Sequence, residues 1–128
     1  MSIKILLADD HKIVREGVRV LLEKQPGMEV IAEAEDGRKA LRLAQEKRPD
    51  VVIMDLTMPG LNGIEATRQI TAIMPEVKVL VLSMHSDRRF VRSGLQAGAS
   101  GFLLKDCDGE HLVRAIKAVT ANQTYLCP

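Results

Sequence analysis

The apolar positions of this chain fall into two alternating rhythms. Short, nearly unbroken apolar runs at 3–8 (IKILLA), 51–54 (VVIM), 77–82 (VKVLVL) and 101–104 (GFLL) are separated by longer stretches in which apolar residues recur three or four positions apart. The runs predict parallel strands covered on both faces, and the spaced stretches predict helices with one buried face. Ile13, Val14, Gly17, Val18, Leu21 and Leu22 mark a first helix that Pro26-Gly27 stops. The run 29–35 (EVIAEAE) alternates less cleanly and predicts an edge strand. Asp36-Gly37 then precedes a second helix with Ala40, Leu41 and Ala44 on its inner face, closed by Lys47, Arg48 and Pro49. Asn62 is placed to cap a third helix, with Glu65 three residues on and Ile64, Ile70 and Ile73 facing inward. Phe90, Val91 and Leu95 predict a short fourth helix, and Asp108 precedes a fifth with Leu112, Ala115, Ile116 and Val119 inward. Five strands alternating with five helices predict an α/β fold, a single parallel sheet with right-handed crossovers and helices on both faces.

The polar residues that end these runs change the picture from architecture to chemistry. Asp9 and Asp10 follow the first strand, Asp55 ends the third, Ser83 the fourth and Lys105 the fifth. Ligands of open α/β sheets bind beyond the carboxyl ends of the strands, so these five side chains are expected to meet at one edge. Two carboxylates about 4 Å apart repel by about 4 kcal/mol at an effective dielectric near 20, so three together call for a cation. All-oxygen ligation selects a hard ion, and Mg²⁺ with retained waters is the natural choice, with Mn²⁺ as a substitute. A carboxylate beside such an ion, faced by an ammonium and a hydroxyl, has what in-line phosphoryl acceptance requires.

At these residues the chain resembles the receiver domain of two-component response regulators: the Asp9-Asp10 pair, Asp55 in DLTMPGLNG, Ser83, and Lys105 preceded by GFLL. The resemblance covers essentially the whole chain and implies a flavodoxin-like (βα)5 fold with strand order 2-1-3-4-5. It implies that Asp55 is the phosphoacceptor, that Asp9, Asp10, Asp55 and the backbone carbonyl of Thr57 hold the metal, and that Lys105 and Ser83 contact the phosphoryl group. It also implies a switch in which Ser83 bonds that group and an aromatic, here Phe102, turns inward. It implies as well that Thr57, Met84 and His85 occupy positions that tune dephosphorylation. The upstream partner would be a sensor histidine kinase, with homodimer formation as an expected response to phosphorylation. By the same resemblance the phosphoacceptor would catalyse its own transfer and dephosphorylation and otherwise be no enzyme.

The wording LADDHKIVREGV, LSMH and GFLLKD is most similar to the NarL/FixJ branch of transcriptional regulators, whose output is a C-terminal helix-turn-helix. On that resemblance residues 1–121 are the receiver, 122–128 begin an interdomain linker, and DNA is met only through a C-terminal domain beyond this segment.

Composition narrows the alternatives. The 128 residues (14.1 kDa) suit one domain, 46% hydrophobic and 27% charged residues are ordinary for a soluble protein, and no apolar stretch has the length of a membrane span. With 18 basic and 17 acidic residues there is no basic excess for nucleic acid. The N-terminus enters a strand at once, which leaves no room for a secretory signal and predicts a cytoplasmic location. Cys107 and Cys127 lack metal or disulfide spacing, and His11, His85 and His111 lie on separate elements without metal spacing. Neither GxGxxG nor GxxxxGK[ST] is present, against a nucleotide module. A phosphatase with an aspartyl nucleophile would need a second Asp where Thr57 stands. A stand-alone receiver and a phosphorylation-independent interaction module are the remaining alternatives.

Overall fold

The computed structural model of the chain describes residues 2–56, 58, 61–83, 88–104 and 109–126, with 88–90 described by backbone alone. In chain order the elements are β1 (Ile3–Ala8), α1 (Lys12–Glu23), β2 (Met28–Ala34), α2 (Gly37–Lys47), β3 (Val51–Asp55), α3 (Gly63–Ile73), β4 (Lys78–Ser83), α4 (Arg88–Gln96), β5 (Gly101–Leu104), α5 (Gly109–Thr120) and β6 (Tyr125–Leu126). All strand pairs are parallel, in the order β2-β1-β3-β4-β5-β6. The five-stranded order expected from the resemblance is present, β2 is an edge as its broken pattern predicted, and one strand has been added beyond β5.

The two faces of the sheet follow from strand alternation. Leu6, Ala8, Val52, Met54, Val79, Val81 and Phe102 belong to one buried cluster, which Ala40 and Ala44 of α2 and Ala66 and Ile70 of α3 complete. Ile5, Leu7, Val51, Ile53, Leu80, Leu82 and Leu103 belong to the other, with Leu22 of α1 and Leu112, Ala115, Ile116 and Val119 of α5. The central strands read as unbroken apolar runs because both of their faces are covered in this way.

Caps set where the helices begin. Asp36 accepts a hydrogen bond from Lys39 N at 2.8 Å and starts α2, and Asn62 accepts from Glu65 N at 2.9 Å and starts α3. The Glu65 side chain does not close a reciprocal capping box; it engages Arg68 and Gln69 instead. Four positions expected to be helix-face residues are exposed instead: Ile13 at 85%, Ile73 at 52%, Leu95 at 36%, and Gly17. Each lies on a helix whose buried stripe is narrower than its apolar stripe. Ile73 sits in the last turn of α3, where Ile70 and Met74, both fully buried, already fill the core.

The sixth strand lies within the stretch expected to begin a linker. Asn122 takes a left-handed conformation (φ 63°) after α5, Gln123 N donates to Ala118 O at 2.9 Å, and the chain reverses onto β5. Tyr125 N then donates to Ser100 O at 3.1 Å, and the Tyr125 hydroxyl lies 2.9 Å from His111 Nδ1 on α5. The strand is only two residues long, and an isolated sequence run of that length carries no pattern.

Candidate metal and phosphoacceptor site

Strand register brings the candidate residues to one edge. Ala8 pairs with Met54, Asp55 with Leu82, and Ser83 with Leu104. Asp9 and Asp55 therefore each stand one position beyond the Ala8–Met54 pair, and Ser83 stands one position beyond the residue paired with Asp55. The carboxyl ends of three neighbouring strands converge as the sheet rule requires.

Asp9, Asp55 and Ser83 are buried, at 6%, 2% and 1% exposure, whereas Asp10 opens to solvent. One donor atom from each of Asp9, Asp10, His11 and Asp55 lies within 4.8 Å of the others. Separations of that order suit a single cation drawn between them, and the hard carboxylate oxygens suit a divalent ion. The donor set therefore fits the ion that the sequence implied. A small space of about 10 Å³ beneath the carboxylates, lined in part by Leu7, Arg15, Ile53, Asp55 and Leu82, has room for about one water.

Arg15 is a participant that sequence reasoning missed. Its side chain is 14% exposed, its Nη1 donates to the Asp9 carbonyl oxygen at 2.7 Å, and its Nε lies 3.3 Å from Glu33 Oε1 on β2. Arg19 holds the other Glu33 oxygen at 2.6 Å. The cation thus fixes the backbone at the turn where the two acids leave β1. Within α1 it reads as an ordinary charged helix residue, and only the register of β2 beside β1 supplies its partner.

His11 was missed too, although it directly follows the acid pair. Its backbone N donates to Asp9 Oδ1 at 2.8 Å, and its Nδ1 lies 3.0 Å from Asp9 Oδ1 and 3.1 Å from Asp10 Oδ1. A search for His spaced with other His and Cys passes over a histidine that joins carboxylates.

Phe102 is buried at 3% exposure on β5, paired with Val81 on one side and Leu126 on the other. It faces the core, the inward direction. Thr57, Met84, His85 and Lys105, and the cap residue Asp108, lie outside the described residues. Among the described residues no helix is long and apolar enough to cross a membrane.

Residues 5–117 match the family model described as "Response regulator receiver domain". The transcriptional regulatory protein DegU of Brevibacillus brevis is 46% identical over 127 residues, covering 99% of this chain and 54% of that protein. The chain spans little more than half the length of the curated relatives it matches. Among solved structures, a LuxR-family two-component response regulator from Aurantimonas sp. superposes with a TM-score of 0.95 at 45% identity, covering 100% of this chain and 91% of that one. The signal receiver domain of the putative response regulator NarL from Mycobacterium tuberculosis superposes with a TM-score of 0.92 at 34% identity, over 95% of this chain and 98% of that one.

Proposed function

The chain belongs to the response regulator receiver domain family, and from that premise we propose that Asp55 accepts a phosphoryl group from the phosphohistidine of a sensor histidine kinase. An Asp55 carboxylate oxygen attacks phosphorus in line, the new O–P bond forms as the P–N bond breaks, and the kinase imidazole leaves. The observation that carries this reading is the convergence of Asp9, Asp10 and Asp55 donor atoms within 4.8 Å at the carboxyl edge of the sheet.

Catalysis of phosphoryl transfer is mainly positioning and charge neutralisation. Asp9, Asp10, Asp55 and the backbone carbonyl of Thr57 would hold Mg²⁺, or Mn²⁺ in its place. When bound, that ion neutralises charge on the equatorial phosphoryl oxygens. Lys105 and Ser83 bind the same group. Burial of Asp55 keeps bulk water from the acyl phosphate, and Thr57, Met84 and His85 set how fast water reaches it. The same residues that admit the group also support its hydrolysis, with no separate substrate turned over.

The signal leaves through Ser83 and Phe102. A hydroxyl drawn toward the phosphoryl group shifts the end of β4 and favours the inward Phe102, altering the surface formed near the last two helices and promoting association of two copies. In the full-length protein, residues 1–121 act as the receiver in the cytoplasm, residues 122–128 lead toward a helix-turn-helix, and DNA is bound only there. The names of the DegU and LuxR-family relatives support a transcriptional output.

Incubation with acetyl phosphate and Mg²⁺, read by intact mass, tests the reading. One added phosphoryl group is expected on the native chain and none on Asp55→Asn, with beryllium fluoride binding following the same pattern. No mass gain on the native chain would leave a phosphorylation-independent interaction module as the function.

A further inference from the structure

One donor atom in the carboxylate cluster has no task in phosphoryl acceptance. Nδ1 of His11 lies 3.0 Å from Asp9 Oδ1 and 3.1 Å from Asp10 Oδ1, and it shares the 4.8 Å donor set with Asp55. Packing does not force it there, because the side chain is 57% exposed. His11 is the N-cap residue of α1 in an extended conformation (φ −94°, ψ 105°), and its N–H is held by Asp9 Oδ1 at 2.8 Å. The ring lies against both acids at those distances.

Both separations are hydrogen-bond lengths, and the ligands of a coordination shell stand equally far apart. Neighbouring ligands around an octahedral ion with bonds of about 2.1 Å stand about 3.0 Å apart. Both nitrogen–oxygen separations match it. Without an ion, one Nδ1–H would have to divide itself between two carboxylate oxygens. A cation seated among the three atoms satisfies them all.

We propose that His11 is a nitrogen ligand of this metal site, so that the site takes imidazole-preferring first-row ions such as Co²⁺, Ni²⁺ or Zn²⁺ more tightly than three carboxylates alone would. The inference rests on Asp9, Asp10 and Asp55 being metal-binding carboxylates and adds a fourth, softer donor to them. Carboxylates serve Mg²⁺ and Mn²⁺ well, whereas imidazole raises affinity for Co²⁺, Ni²⁺ and Zn²⁺ with little gain for Mg²⁺.

Calorimetric titration of the untagged protein with Mg²⁺ and with Ni²⁺, at one fixed mildly alkaline pH, tests it, with the visible absorption of bound Co²⁺ as a second readout. His11→Ala is expected to lose about 10-fold or more of the Ni²⁺ affinity and to change the Co²⁺ spectrum, while Mg²⁺ affinity stays within about 2-fold. His11→Asn keeps a side-chain N–H donor and is expected to behave like His11→Ala. Equal losses for both ions, recovery of Ni²⁺ binding in His11→Asn, or unchanged Ni²⁺ binding in His11→Ala would each overturn the proposal and leave His11 as at most a hydrogen-bonding neighbour. His11-dependent Ni²⁺ binding in a protein that gains no phosphoryl mass would refute the phosphoacceptor reading alone.

Discussion

Gly63 is packed so tightly beneath Asp55 that a Cβ built on it would fall 2.0 Å from the Asp55 carbonyl oxygen and 2.7 Å from Leu56 Cα. Gly63 N also donates to Leu56 O at 3.1 Å, so the first residue of α3 is fastened to the strand end that presents the proposed phosphoacceptor. The contact is with backbone, which cannot swing aside as a long side chain would. Gly63→Ala is therefore expected to displace the end of β3, lowering stability by about 1–3 kcal/mol in urea unfolding and slowing the acetyl phosphate mass gain. A variant with native stability and native phosphorylation rate would show that the strand end yields without cost.

Arg15 and Arg19 both reach Glu33, but their surroundings differ. Arg15 is 14% exposed and also holds the Asp9 carbonyl oxygen, whereas Arg19 is 47% exposed. Removal of the first leaves the Asp9 carbonyl oxygen and Glu33 Oε1 without their donor; removal of the second leaves Glu33 still held by Arg15 and its other partner, Glu23, at the surface. Arg15→Ala should cost about 1–3 kcal/mol and Arg19→Ala under about 1 kcal/mol. Parallel chemical unfolding of the two variants checks the ranking, and equal losses would contradict it.

These two relationships also mark the limit of what the sequence can convey. Asp9, Asp55 and Ser83 were legible because each ends an apolar run, and the carboxyl edge of the sheet gathers these three. Asn62 was legible because a cap is a local device. Gly63 against Asp55, and Arg15 against Glu33, depend on which elements become neighbours, and no spacing along the chain encodes a 2.0 Å approach. Ile13 and Ile73 misled for the converse reason: apolar periodicity gives a stripe, while the width of the buried part is fixed by the element packed on it. β6 was invisible because two residues have no period.

The sixth strand depends on a tether of side chains as well as its ladder. Tyr125 pairs with Gly101, and its hydroxyl lies 2.9 Å from His111 Nδ1. Tyr125→Phe removes the hydroxyl and leaves the ring, so the local opening free energy of β6 should fall by about 0.5–1.5 kcal/mol. Hydrogen exchange at the Tyr125 amide, which donates to Ser100 O, is expected to speed up by roughly 2- to 10-fold, with exchange in β3 unchanged. No change at that amide would assign the strand to its backbone pairing alone.

Two isoleucines three residues apart on α3 separate burial from apolarity. Ile70 is fully buried in the cluster that includes Val52, Met54 and Val81, whereas Ile73 is 52% exposed. Truncating Ile70 removes atoms from a packed interior and leaves a cavity, for which Ile70→Ala should cost about 2–5 kcal/mol. Ile73→Ala loses only partial contact, and alanine's better helix propensity offsets part of it, so its change should stay within about 0.5–1 kcal/mol. Because both substitutions make the same chemical change in the same helix, helix propensity cancels between them, and the difference measured in urea reports the core alone. A difference below about 1 kcal/mol would mean that α3 does not seat Ile70 against the sheet, and the position of Gly63 under Asp55 would fall with it.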